Sequence, residues 1–114
     1  MAVSWQNVVE MACALPETEE STSYGTPALK VRDRLLARLR TEAEGGLALV
    51  CALDEKEALL ASGDPAFFTT AHYDGYGMVL VDLERVARAE LAELVTEAWR
   101  SKAPVRLRRE FDAG

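Results

Sequence analysis

The sequence predicts an α+β domain in which antiparallel strands pack against amphipathic helices, and three stretches carry that prediction. Pro65 to Leu83 (PAFFTTAHYDGYGMVLVDL) opens with proline and two aromatics, turns polar and glycine-bearing, and closes on Met78-Val79-Leu80-Val81. Two antiparallel strands joined by a reversal read this way, with Asp74-Gly75 as the expected turn dipeptide. Leu47 to Leu53 (LALVCAL) is apolar throughout, as a central strand buried on both faces would be. Leu91, Leu94, Val95, Ala98 and Trp99 recur at i, i+3, i+4, i+7 and i+8, the stripe of a helix that starts at Glu84 or Arg88 and that Pro104 ends.

The remaining elements follow in chain order. Ser4 is placed to cap a first helix whose buried side is Trp5, Val8, Val9 and Ala12, and Leu15-Pro16 stops it. Glu17, Glu19 and Glu20 read as a solvated connection, and Ser21 to Thr26 as a short strand leading to a turn at Gly25. Glu42 to Gly46 reads as a polar turn. Asp54 and Glu57 form a capping-box-like pair at the start of a short helix, buried through Leu59 and Leu60 and stopped by Gly63 and Pro65. The tail after Pro104 allows one or two more helical turns or a mobile end.

Residues 27–40 admit two readings. With a period of two, Leu29 and Val31 share a face, the chain reverses at Arg32-Asp33, and Leu35, Ala37 and Leu39 point inward while Arg34, Leu36, Arg38 and Arg40 point outward. With a helical period, Thr26 caps, Pro27 takes the first position, and Leu35, Leu36 and Leu39 form the stripe. Local propensity favours the helix, because Leu, Ala and Arg are strong helix formers.

At 114 residues the chain is about one domain long. Its longest apolar run falls far short of the about 20 residues of a membrane span. The N-terminal stretch has no leading basic cluster and carries Glu10, so a signal peptide is not expected. Cys13 and Cys51 lie in apolar contexts and read as buried, reduced thiols of a cytoplasmic protein. Trp5, Trp99 and Tyr24 read as core aromatics rather than as walls of a ligand pocket.

The net charge is −6, which opposes a polyanionic partner, but the charge is segregated. Residues 28–40 hold five basic side chains against Asp33 alone, and residues 100–110 hold five against Glu110 alone. The rest of the chain carries 3 basic and 17 acidic residues, so a local basic footprint on an acidic body is possible. Catalysis has little to build on. His72 is the sole histidine, neither cysteine has a nucleophile signature, and there is no Gly-x-Ser-x-Gly. Gly75-Tyr76-Gly77 lacks the third glycine and the helix of a dinucleotide loop, and one histidine with two distant cysteines does not make a zinc site. No enzymatic activity, metal or other cofactor is expected.

An ordered set of segments resembles the MmcQ/YjbR family of small bacterial proteins: Leu15-Pro16-Glu17-Thr18-Glu19-Glu20, Tyr24-Gly25-Thr26-Pro27-Ala28-Leu29-Lys30-Val31, Asp64-Pro65-Ala66-Phe67-Phe68, Asp74-Gly75-Tyr76, Val79-Leu80-Val81-Asp82-Leu83, Glu90-Leu91, and Glu97-Ala98-Trp99-Arg100 with Ala103-Pro104. The resemblance covers nearly the whole chain. It departs at Ala87, where such sequences often carry an acidic or turn residue, and this leaves the cap of the last helix open. The resemblance implies a two-layer α/β fold, an antiparallel sheet packed on helices as in type III secretion chaperones. It also implies the hairpin reading of residues 28–40 and DNA binding through two β-hairpin wings, Leu29 to Leu39 and Phe67 to Leu83.

On that reading Lys30, Arg32, Arg34, Arg38 and Arg40 form an exposed phosphate-contacting strip, with Arg106, Arg108 and Arg109 as a second patch. The second wing has no Lys or Arg and offers His72, Tyr73 and Tyr76, for stacking or local packing. The only Asn and Gln, Asn7 and Gln6, lie outside both wings, so little base-specific readout is expected. The alternative is a protein-interaction or dimerisation module, related in fold to secretion chaperones, that pairs through an exposed sheet edge or apolar helix face.

Overall fold

The computed structural model describes residues 2–114. Helix α1 (Trp5–Cys13) leads into strands β1 (Thr18–Ser23), β2 (Thr26–Val31), β3 (Arg34–Leu39) and β4 (Leu47–Val50). Helix α2 (Leu53–Ala61) follows, then β5 (Phe67–Phe68), β6 (Met78–Val81), α3 (Arg88–Lys102) and α4 (Val105–Ala113). The strands form one antiparallel sheet in the order β1-β2-β3-β4-β6-β5, so the expected α+β class holds.

Side-chain alternation sorts the sheet into two unequal faces. Leu29, Val31, Leu47, Leu49, Val79 and Val81 enter the main core, with Val8, Val9 and Ala12 of α1 and the whole predicted stripe of α3. Trp99 is fully buried there; its Nε1 donates to the Pro16 carbonyl at 2.9 Å, and Phe111 of α4 lies 5.0 Å from its ring. Ser4 caps α1 reciprocally with Asn7: each backbone amide donates to the other's side chain, at 3.0 and 3.1 Å. Helix α3 has Ala87 at its N-cap position and therefore no side-chain cap. The tail takes the helical alternative, as the nine-residue α4, which buries Leu107.

Residues 28–40 form the hairpin. Arg32 and Asp33 both adopt left-handed conformations (φ 48° and 66°) between the paired residues Val31 and Arg34, as a type I′ turn requires. Tyr24-Gly25 makes the same kind of turn between β1 and β2 (φ 52° and 77°). Helix propensity loses because residue-to-residue differences are only tenths of a kcal/mol. Burial of Leu29, Val31 and Leu36 contributes about 1.5–3 kcal/mol apiece.

The strict alternation expected of β3 fails at one point. Leu29 pairs with Ala37, but Lys30 pairs with Leu35, so Leu36 is an extra residue in a bulge. The bulge brings Leu36 into the main core and leaves Leu35 half-buried, the reverse of the alternating pattern. Ala37 faces inward as expected.

Other local expectations are corrected. Strand β1 already includes Glu19 and Glu20, because an edge strand with exposed side chains tolerates acids. Strand β4 stops at Val50, and Leu53 instead opens α2 as an exposed residue. The Asp54–Glu57 capping box does not form: Ala52 is the N-cap, Asp54 lies inside the first turn, and its Oδ1 accepts from the Glu55 amide at 2.9 Å. The buried residue of α2 is Lys56, while Leu59 and Leu60 are half-buried. Cys13 is exposed, since it ends α1 one residue beyond the Val8–Val9–Ala12 stripe; Cys51 is buried. The pairing of β5 with β6 is confined to Phe67 opposite Val81 and Phe68 opposite Leu80, and residues 69–77 form a loop rather than an extended wing. Within that loop Asp74-Gly75 is the turn dipeptide, with the Tyr76 amide donating to the Tyr73 carbonyl at 3.0 Å and Gly75 at φ 80°. No helix among the described residues is long and apolar enough to cross a membrane.

The bulge is testable in solution. Leu36→Ala should cost about 2–5 kcal/mol in urea unfolding, and Leu35→Ala less than about 1.5 kcal/mol; the opposite ranking would restore the unbulged register. Trp99→Phe, which strands the Pro16 carbonyl, should lower the unfolding midpoint by an amount worth about 1–3 kcal/mol and leave the denaturant slope unchanged.

Candidate nucleic-acid interface

The strand register distributes the basic residues of the first hairpin. Arg38 lies opposite Ala48 and Lys30 opposite Leu35, on the sheet face away from α1 and α3. That face has its own small core of Ala48, Tyr73 and Leu80, flanked by Phe68 and Met78. Tyr73 comes from the 69–77 loop, which folds back over the sheet.

Lys56 holds this loop in place. Its buried ammonium donates to the carbonyls of Tyr73 at 2.6 Å and Tyr76 at 3.1 Å, so two loop carbonyls satisfy a charge that α2 buries. The Tyr73 and Asp74 amides close the turn onto the Thr70 carbonyl, and His72 meets the Tyr73 and Tyr76 rings edge-on at 5.1 and 5.9 Å. His72 and Tyr76 are exposed, whereas Tyr73 is buried.

Arg38 and Arg40 belong to this buried layer, which corrects their expected place on an exposed strip. The Arg38 side chain is 12% exposed, and it donates to the Tyr73 hydroxyl at 3.2 Å and the Ser23 carbonyl at 3.3 Å. The Arg40 side chain is 7% exposed, lies 5.7 Å above the Tyr73 ring centroid, and donates to the Gly45 carbonyl at 3.0 Å. Glu44 faces both guanidiniums, at 4.0 and 3.7 Å. Hydrogen bonds from Thr41, with these arginines adding to them, lower the Glu44 pKa and keep it ionised. Both guanidiniums are engaged in closing the far face, with the Arg40 Nε buried and unpartnered among the described residues.

The rest of the basic set lies further out. Arg34 is exposed, across from Val31 next to the hairpin tip, and Lys30 is half-exposed; neither makes a salt bridge among the described residues. Arg32 forms a bidentate pair with Glu17, whose carboxyl is held below its ordinary range mainly by that hydrogen bond. Arg106 of α4 also lowers the Glu17 pKa, and Glu110 raises that of Arg32. Charges of both segments, far apart in sequence, thus act on the Arg32–Glu17 pair. Arg106 and Arg109 are exposed. Arg108 is half-buried, with its Nε shielded and unpartnered among the described residues. Arg100 is taken up by Asp112, at 2.6 and 3.1 Å.

A groove of about 540 Å³ crosses the far face, lined by Tyr24, Leu35, Arg38, Glu44, His72 and Tyr76 among others. Parts of both expected wings thus meet in one depression. Tyr24 is not a core aromatic: it stands 90% exposed on its turn, 5.6 Å from the Arg38 guanidinium. Trp99 is in the core and Trp5 packs at its margin, so the three aromatics share no pocket. Tyr24-Gly25 between two β-rich stretches was the available signal for an exposed turn; nothing local distinguishes Lys56 or Glu44. Burial pushes the Cys51 thiol up to about 11, which leaves it protonated and unreactive at neutral pH. No group of three or more His, Cys, Asp or Glu among the described residues is placed to hold a metal ion.

Comparison with known proteins gives a consistent grouping. Uncharacterized protein Mb2600 of Mycobacterium bovis and uncharacterized protein Rv2570 of Mycobacterium tuberculosis are each 34% identical to this chain over 122 aligned residues, covering 95% of both partners. No solved structure matches it. The YjbR family model matches residues 13–101, from the end of α1 through nearly all of α3. On that match, over most of its length, the chain belongs to the YjbR family.

Proposed function

We propose that this chain is a non-enzymatic binding domain that holds nucleic acid weakly through phosphate contacts, beside the tip of the first hairpin and the start of α4. The observation that carries the reading is that Lys30 and Arg34, on either side of the first hairpin's tip, are at least half-exposed and make no salt bridge among the described residues, while the charge of Arg106 reaches Glu17 beside that tip. Lys30, Arg34, Arg106 and Arg109 are the cations left for phosphate; Arg38 and Arg40 act one layer down, fixing the hairpin and loop. Contacts of this kind position a backbone without reading sequence. A net charge of −6 makes the affinity low and confines it to low salt. A cytoplasmic setting goes with this reading.

A second reading rests on β1, an edge strand of six residues with one side open to strand addition by a partner or a second copy. Light scattering separates the two: a stable dimer near twice 12.5 kDa in the absence of nucleic acid favours the edge.

Fluorescence anisotropy with a labelled random duplex tests the first reading. A log–log salt slope of roughly −3 is expected, flattening in an Arg34/Arg106/Arg109→Ala variant that melts like the wild type. Arg40→Met should instead destabilise the fold by about 1–3 kcal/mol, since it strands the Gly45 carbonyl and removes a counter-charge of Glu44. No binding of duplex or single strand at low salt, or a slope unchanged in the triple variant, would overturn the assignment.

A further inference from the structure

We propose that the groove on the helix-free face takes unpaired bases, so that the preferred ligand is a single-stranded nucleic acid, with Tyr24 and Tyr76 as its stacking surfaces. This deepens the reading above and rests on it.

The first observation is Tyr24. A bulky aromatic with φ 52° and a ring 90% exposed occupies a turn position that Gly, Asn or Asp would fill with less strain. Neither the turn nor the core requires the ring. Its position is nevertheless defined, because the Arg38 guanidinium beside it is anchored on the Tyr73 hydroxyl and the Ser23 carbonyl. Tyr76, across the groove, is 56% exposed on a backbone that Lys56 grips through the Tyr76 carbonyl. Two exposed rings thus border one depression from separately fixed supports, and His72 stands beside Tyr76.

Charge separates the possible occupants. The one carboxylate lining the groove, Glu44, is countered by Arg38 and Arg40, so it does not set up a cation site. Lys30 lies on the same sheet face, paired with the groove-lining Leu35; Arg34, opposite Val31, starts β3 on the other face at the hairpin tip. A polynucleotide with bases in the groove would run its phosphates past Lys30 toward the hairpin tip, an arrangement of stacking platform and flanking cation that suits single strands. Duplex bases are already stacked on each other and present no free ring face. A proline-rich peptide also suits aromatic grooves, but it gains nothing from the cations at the edge.

The test is anisotropy at low salt with labelled oligo(dT), oligo(dA), a duplex of equal length and a proline-rich peptide. The proteins are wild type, Tyr24→Ala, Tyr76→Ala, the double variant and Tyr24→Phe. Single strands should bind about tenfold or more tighter than duplex. Each Ala variant should lose roughly tenfold on single strands, with the salt slope and duplex affinity unchanged, and Tyr24→Phe should keep wild-type affinity. Both tyrosines are exposed, so unchanged thermal melts are expected and would exclude misfolding. Duplex binding without single-strand preference, or wild-type affinity in the double variant, would overturn this inference and leave the phosphate reading standing. Binding of the peptide alone, or of no probe, would overturn both.

Discussion

Helices cover only one face of the six-stranded sheet, and the opposite face has to be closed by other means. Tyr73 is the closure. Its ring sits under Arg40, its hydroxyl accepts from Arg38, and its carbonyl accepts from Lys56. One side chain thus ties the 69–77 loop to β3, and its backbone ties the loop to α2. Buried cations need partners, and here those partners are the carbonyls of Tyr73, Tyr76, Ser23 and Gly45, the Tyr73 phenol and Glu44. Three of the chain's basic residues become structural as a result.

That use of charge reshapes the functional picture. A count of basic residues over 28–40 suggests a continuous phosphate-binding strip, but Arg38 and Arg40 close the sheet and Arg32 pairs with Glu17, which leaves Lys30 and Arg34 free. What remains is a smaller cationic set, Lys30 and Arg34 beside the hairpin tip with Arg106 and Arg109 of α4, and an aromatic groove on the helix-free face. The curated relatives, uncharacterized mycobacterial proteins, match along nearly the full chain. An acidic body with a small basic region suits weak, salt-sensitive association rather than tight, sequence-reading recognition.

Much of the fold is legible in the sequence because periodicity reports burial directly. The α3 stripe, the Ser4 cap, the Gly63 stop and the Asp74-Gly75 turn all follow from local rules. The segment 28–40 does not, because Leu, Ala and Arg satisfy either period and the deciding energy comes from non-local burial. The bulge at Leu36 is invisible for the same reason: it is set by the pairing of β3 with β2, not by β3 itself. Asp54 and Glu57 carried the spacing of a capping box, yet the helix begins at Leu53 and puts Asp54 past the cap position. The site is the least legible part. Whether an arginine is a surface cation or the lid of a tyrosine depends on a loop some thirty residues further on, and Lys56 resembles any solvated helix lysine until the loop folds over it.

The most direct test of the account is a map of backbone amide chemical-shift changes when a short oligo(dT) is added at low salt. The account predicts changes at Tyr24, Gly25, Lys30 and Arg34, at Tyr76, and at Arg106, with α1 and the edge of β1 unmoved. Changes centred on β1 or α3, or none at concentrations that saturate anisotropy, would contradict it.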